Sequence, residues 1–316
     1  MSSKFQEIHA GITRIDVDYI RPGFAAAWLI RSGAQALFVE TGPLPALPIL
    51  LDALTHHGLT PAMVRAVIVT HVHLDHAGAA GALLQHLPNA RIFIHPQGVK
   101  HLVDPSRLVD GARGVYGEER FAMTLGGAEP IDPARVHSPV DGEIFDLGGR
   151  NLIFFDTPGH SLNHLCLLDT QTNGLFTGDA FGLSYREFDG GARPLIMPAT
   201  TPTQFDIDSS RATVRRLAAL QPEWLYLTHF GALPFDPALA DDLDSQLMGY
   251  HRVAATLPDE ATTDEWIAAL GDLTFAHARA IGVPEPLDTA LLAADLHLNA
   301  QGLAIWRDRD RRRKPG

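Results

Sequence analysis

Short apolar, β-branched runs at residues 12–18, 25–31 and 34–40 predict strands, the last two joined by a tight turn at Ser32-Gly33. Residues 44–57 carry a helical pattern that stops at Gly58. The continuous apolar run 64–69 predicts a buried strand. A helix at 79–87 and a strand at 91–95 follow. Residues 100–130 hold Gly111, Gly114, Gly117, Gly126 and Gly127, and read as a long irregular insertion. Strands resume at 135–137, 151–155, 164–169 and 174–177. A helix at 203–220 then leads into a strand at 224–228. Beyond Pro237 the pattern is helical, at 239–257, 263–281 and 287–298. Strand-rich halves each followed by helices predict an α/β class, two sheets face to face with helices outside. No internal repeat and no low-complexity linker sets the last helices apart. The expected organisation is therefore a domain over 1–236 with a helical appendage over 237–316.

The chemistry sits where strands end. Directly after the run 64–69 comes Thr70-His71-Val72-His73-Leu74-Asp75-His76-Ala77-Gly78. Buried imidazoles and carboxylates are expensive to desolvate, and a divalent cation satisfies several at once. His71 and His73, two apart on an extended segment, can face one way, while Asp75 and His76 turn toward a second position. Three later strands end in Asp156-Thr157-Pro158-Gly159-His160, in Thr177-Gly178-Asp179 and in Thr228-His229.

In that order, HxHxDH, TPGH, FTGD and a late strand-end His resemble the metallo-β-lactamase superfamily, and TPGHS with FTGDAFG is most similar to its glyoxalase II-like hydrolases. The motifs span roughly residues 10–235. The resemblance implies a four-layer αβ/βα sandwich. It implies one metal held by His71, His73 and His160, a second held by Asp75, His76 and His229, and Asp179 bridging them. Imidazole and carboxylate ligands suit zinc, iron or manganese, with Zn2+ as the expected ion. Two such ions lower the pKa of a shared water from about 15.7 to about 7, so a bridging hydroxide is the expected nucleophile. Asp75 would orient or deprotonate it. The implied activity is hydrolysis of a small-molecule thioester, lactone or related ester. No G-x-S-x-G, P-loop or G-x-G-x-x-G motif competes. The same fold also hosts iron-dependent redox enzymes, both persulfide dioxygenases and diiron oxygen reductases, and signalling proteins with vestigial sites. Diiron reductases usually place Glu where this chain has His73, and the complete ligand set argues against a vestigial site.

Composition narrows the partners. A 316-residue chain that is 46% hydrophobic and 20% charged is ordinary for a globular protein. Its net charge of −12 disfavours nucleic acid. No apolar run approaches the ~20 residues that span a bilayer, so no membrane partner is expected. The start, Met1-Ser2-Ser3-Lys4-Phe5-Gln6-Glu7, lacks the apolar stretch of a secretory signal. With a single cysteine, Cys166, in an apolar strand, this points to a cytoplasmic protein and a core role for that thiol. The tail Arg307-Asp308-Arg309-Asp310-Arg311-Arg312-Arg313-Lys314 reads as a solvated, frayed end.

Other polar residues have bland readings beside functional ones. His164, four after His160 but on a strand, reads as a residue behind the ligands. Tyr185 and Arg186 follow Asp179 where the resemblance places substrate contacts, and as a bare pair they read equally as an exposed turn. His95 is either behind the ligands or simply buried. His56 and His57 end a helix, and His86, His101 and His137 read as surface residues. Asp156 reads as a strand-end cap. Glyoxalase II enzymes hold glutathione carboxylates with basic and amide residues in their C-terminal helices. Here 239–298 offers chiefly Arg252 and Arg279. The expected substrate is therefore apolar rather than a glutathione thioester, and these helices either cover the cleft or form a homodimer contact.

Overall fold

The computed structural model describes residues 4–313. The expectations for Met1 to Ser3 and for Lys314 lie outside the described residues. Two compact units are present, and they do not follow sequence order. The first comprises the residues up to Asp156, Asn163–Gly178 and Glu223–Ala232. The second comprises Thr157–Leu162, Asp179–Pro222 and the chain from Leu233 onward.

Two mixed sheets carry the fold. The first has seven strands in chain order: β1 (Phe5–His9), β2 (Ile12–Asp16), β3 (Ala26–Ser32), β4 (Gln35–Val39), β5 (Val64–Ile68), β6 (Arg91–Phe93) and β7 (Val136–His137). Its hairpins are antiparallel as far as β4, and β4 through β7 run parallel. The second comprises β8 (Ile144–Leu147), β9 (Arg150–Asp156), β10 (Leu165–Asp169), β11 (Gly174–Gly178), β12 (Trp224–Leu227) and β13 (Gly231–Pro234), ordered β13-β12-β11-β10-β9-β8. Here β8 to β11 are antiparallel and β11 pairs β12 in parallel.

Within the first unit the sheets meet through aromatic rings. Trp28 lies 5.8 Å from Phe176 and 5.1 Å from Tyr226, and Phe93 stacks on Phe154 at 5.7 Å. β5 is buried at four of five positions, as its continuous apolar pattern requires. A buried ion pair sits among these apolar layers: Arg150 donates to both oxygens of Asp169 at 2.9 and 2.7 Å. Burial raises the Asp169 pKa, but the Arg150 and Thr172 hydrogen bonds with the Arg150 charge outweigh it and hold the carboxyl below its usual range. Cys166 is fully buried on β10, its thiol against the Thr177 carbonyl at 3.4 Å, which is the core role expected.

Helices of this unit are α1 (Leu47–His56), α2 (Leu74–Ala77), α3 (Ala80–His86), α4 (Val99–Val103), α5 (Ser106–Tyr116) and α6 (Glu118–Thr124). The last three correct the expectation of an irregular 100–130. Gly111 and Gly114 lie inside α5 with open space beside them, so they weaken the helix without ending it. Gly117, at φ 77°, is the residue that breaks α5 from α6.

The second unit is helical: α7 (Ile207–Ala219), α8 (Pro237–Thr256), α9 (Thr263–Ala280) and α10 (Ala293–Arg313). Side chains cap three of them. Asp206 accepts from Ser209 N at 2.9 Å, Asp236 from Ala238 N at 2.8 Å, and Thr262 with Glu265 forms a capping box. Asn299 on α10 accepts from Thr200 N at 2.7 Å and donates to Pro198 O and the Tyr250 hydroxyl. The basic tail corrects a second expectation. It is the last turns of α10, helical rather than frayed; Arg311 to Arg313 are exposed, while Arg307, Arg309 and Arg311 have partners. Arg307 donates to the carbonyls of Leu257 and Pro258, Arg309 to those of Thr203 and Phe205, and Arg311 pairs with Asp259. No helix among the described residues is long and apolar enough to cross a membrane.

Candidate metal centre

Parallel strands bring their carboxyl ends to one edge of a sheet, and the loops leaving that edge hold most of the polar residues singled out above. β5 ends at Ile68, and Thr70 to His76 follow it as an extended stretch that closes into the single turn α2. His71 and His76 are fully buried and their rings lie 4.1 Å apart. His71 Nε2 is 2.8 Å from His73 Nδ1. Asp75 Oδ2 lies 3.7 Å from His76 Nε2 and 3.4 Å from His229 Nε2. Asp75, His76 and His229 thus present one ligand atom each within 4.8 Å of one another. In the second unit, His160 Nε2 lies 3.4 Å from Asp179 Oδ2, and both residues are buried.

The other face of each imidazole decides what these nitrogens can do. His229 Nδ1 donates to the Phe24 carbonyl at 3.0 Å, and His160 Nδ1 to the Ala199 carbonyl at 3.0 Å. His76 Nδ1 donates to Glu40 Oε1 at 3.0 Å. A carbonyl or carboxylate oxygen only accepts, so each Nδ1 carries a proton, and in the neutral ring it is Nε2 that presents the lone pair. Histidines that ligate metals are held in this way. Thr70 extends the pattern: its hydroxyl donates to Glu40 Oε1 at 2.5 Å and so accepts from His71 Nδ1 at 3.0 Å, leaving His71 Nε2 as a base. In each unit, buried imidazole nitrogens beside a carboxylate form a donor set that suits a divalent cation of borderline softness.

Glu40 is the residue that the motif reading missed. It is buried at the end of β4, at φ 63°, and its carboxylate accepts from Thr70 N, Thr70 Oγ1, His76 Nδ1 and Thr228 Oγ1. One side chain thereby ties together the loops that leave β4, β5 and β12. The signal was available: an acidic residue closing an apolar strand and followed by Thr41-Gly42 obeys the strand-end logic that found the others. Asn163 was missed too, and its Oδ1 accepts from Val72 N at 3.1 Å.

His164 is fully buried and stacks on His71 at 5.0 Å with 28° between ring planes. Gly178 permits this closeness, because a Cβ there would stand 2.6 Å from His164 Nε2 and 2.4 Å from Thr70 Oγ1. In the second unit Gly159 does the same, approaching Ser210 of α7, while Asp206 N donates to Gly159 O at 2.8 Å and Thr213 Oγ1 to Pro158 O at 2.6 Å. Tyr185 is buried and its hydroxyl donates to Asp295 at 3.1 Å, so it is no exposed turn residue. Arg186 donates to the Ser184 carbonyl and hydroxyl, and burial pulls its pKa below the usual arginine range. His95 faces Asp156 across 3.4 Å. His137, expected at the surface without a partner, instead meets Glu143 at 2.5 Å.

Comparison with known proteins gives the family and the fold. The family model described as the metallo-beta-lactamase superfamily matches residues 20–229. A metallo-beta-lactamase fold-containing protein, ST1585 of the archaeon Sulfurisphaera tokodaii, is 28% identical over 191 residues, 59% of this chain and 67% of that one. Its crystal structure superposes with a TM-score of 0.65, covering 94% of this chain and 98% of that one at 20% identity. The metallo-beta-lactamase family protein TTHA1429 of Thermus thermophilus gives 0.67 at 20% identity over 97% and 95% of the two chains. An atrochrysone carboxyl ACP thioesterase of Aspergillus chevalieri is 25% identical over 153 residues, 48% of this chain but only 38% of the fungal one. The two mixed sheets with their helices are the expected α/β sandwich. The chain belongs to the metallo-beta-lactamase superfamily.

Proposed function

We propose that this protein is a binuclear, metal-dependent hydrolase of activated acyl substrates, thioesters foremost, with lactones and related esters open to the same chemistry. One observation carries the reading: the oxygen-held Nδ1 atoms of His76, His229 and His160 each leave Nε2 as a lone pair beside a carboxylate. In this reading His71, His73 and His160 hold one divalent ion, Asp75, His76 and His229 hold the other, and Asp179 serves both. Chain connectivity supports the role of Asp179. It directly follows Gly178, which pairs in parallel register with Leu227 two residues before His229. Bound zinc, iron or manganese would supply an activated water and polarise an acyl carbonyl. The protein's part is to hold ligand atoms in one protonation state, to keep Asp75 beside the nucleophile and to exclude bulk water. The thioesterase named among the relatives supports acyl transfer to water at the level of reaction class.

Substrate polarity follows from the charges. Arg279 is committed to Glu285 at 2.8 Å, Arg193 to Asp242, and Arg211 to Asp244. That leaves the exposed Arg252 as the cation of 239–298 outside these pairs, which is few for a doubly anionic headgroup. With Zn2+-loaded protein, kcat/KM on a medium-chain acyl thioester is expected to exceed that on S-lactoylglutathione about ten-fold, a difference of ~1.4 kcal/mol. Preference for the glutathione thioester, or turnover that survives chelation, would overturn the reading.

A further inference from the structure

Residues 17–24, which join β2 to β3, are held in a costly shape. Asp18 and Ile20 adopt φ 58° and 60°, and for a β-branched residue such a backbone costs about 1–3 kcal/mol. The Asp16 carboxylate sustains it, accepting from Asp18 N at 3.1 Å and Gly23 N at 2.8 Å. The result turns Tyr19 inward, 3% exposed, while Ile20 beside it stays 42% exposed.

The Tyr19 ring meets Phe24 edge-on at 5.5 Å. Phe24 in turn meets the His229 ring at 5.5 Å, and its carbonyl fixes His229 Nδ1. The Tyr19 phenol hydrogen-bonds Tyr116, the last residue of α5, and lies within the field of Asp75. Burial, then the Asp75 charge and the Tyr116 contact, push its pKa well above the ordinary phenol value. With an ordinary pKa of about 10, a phenol is an O–H donor at neutral pH. Helix α5 packs against α2, which carries Asp75 and His76. It buries no residue fully and contains two interior glycines, each costing about 1 kcal/mol relative to alanine. A segment with few buried side chains belongs to the low-stability end of a fold.

We propose that Tyr19 is a substrate-contacting residue, whose hydroxyl exchanges Tyr116 for an oxygen of the acyl substrate beside Asp75, His76 and His229. This rests on the hydrolase reading above. Tyr19→Phe and Tyr116→Phe separate it from a purely structural role, because both variants delete the same phenol–phenol hydrogen bond. In the Zn2+-loaded chain, Tyr19→Phe is expected to lower kcat/KM on the medium-chain thioester about 10- to 100-fold with metal content unchanged. Tyr116→Phe is expected to stay within about three-fold, since the donor survives. Equal losses in both variants, or loss of metal in Tyr19→Phe, would overturn the proposal.

Calorimetric binding of octanoate, a product-like carboxylate, gives a readout independent of turnover. Tyr19→Phe is expected to weaken it about five- to ten-fold, one hydrogen bond's worth, and Tyr116→Phe to leave it unchanged. Unaltered octanoate affinity in Tyr19→Phe, or no octanoate binding by the wild type, would refute the contact. If no thioester or lactone were turned over, the hydrolase reading would fall, while the octanoate comparison would still decide the role of Tyr19.

Discussion

Asp179→Ala is expected to lower kcat/KM on an acyl thioester by more than about 100-fold and to strip metal on dialysis, whereas His164→Ala should cost about 10- to 100-fold and keep its metal. Both residues are buried, so burial alone does not separate them. Chemistry does. Asp179 offers a carboxylate 3.4 Å from His160 Nε2, and in the proposed reading it is the one group that serves both ions. His164 lies flat against His71, and its loss opens a void behind a ligand without removing one. Metal content by elemental analysis, read beside kcat/KM, compares the two variants. Equal metal loss, or greater loss in His164→Ala, would show that the two roles are reversed.

The second large effect belongs to Glu40. Alanine there strands four donors inside the protein, of which two hydroxyls can rotate away. Thr70 N–H and His76 Nδ1–H cannot. At about 1–3 kcal/mol for each orphaned buried donor, Glu40→Ala is expected to lose about 2–6 kcal/mol of folding stability. It should also weaken metal binding about 10- to 100-fold by freeing the His76 tautomer. Glu40→Gln keeps the shape but turns an amide NH2 toward donors, and should fall between alanine and the wild type. Chemical denaturation of metal-free protein measures the first effect and zinc competition titration the second. A Glu40→Ala variant within about 1 kcal/mol of wild type would contradict the hub role.

Much of this was legible in the chain because both signals are local. A strand such as 64–69 declares itself by its own apolar run, and a ligand set declares itself by clustering at strand ends. What the sequence hid is tertiary. Glu40 closes a strand as the motif residues do, but only folding shows its partners, Thr70, His76 and Thr228, residues 30 to 188 positions away. The half-exposed strands β1 and β8 carry no clean alternation, so pattern alone passes over them. Glycine misled in 100–130: it lowers helix propensity by only about 1 kcal/mol, and α5 forms in spite of it. The basic tail misled in part: Arg311 to Arg313 are exposed as charge suggests, but Arg307 and Arg309 reach backbone carbonyls. Tyr19 carried no motif at all, and only the folded loop brings it toward Asp75.

The account stands or falls on the number of ions. Elemental analysis of the 316-residue chain, purified without chelator and reconstituted with excess Zn2+, is expected to give close to two ions per chain. Thioester hydrolysis should rise with the second equivalent and vanish on chelation. A ratio that holds near one under saturating metal would contradict the binuclear centre.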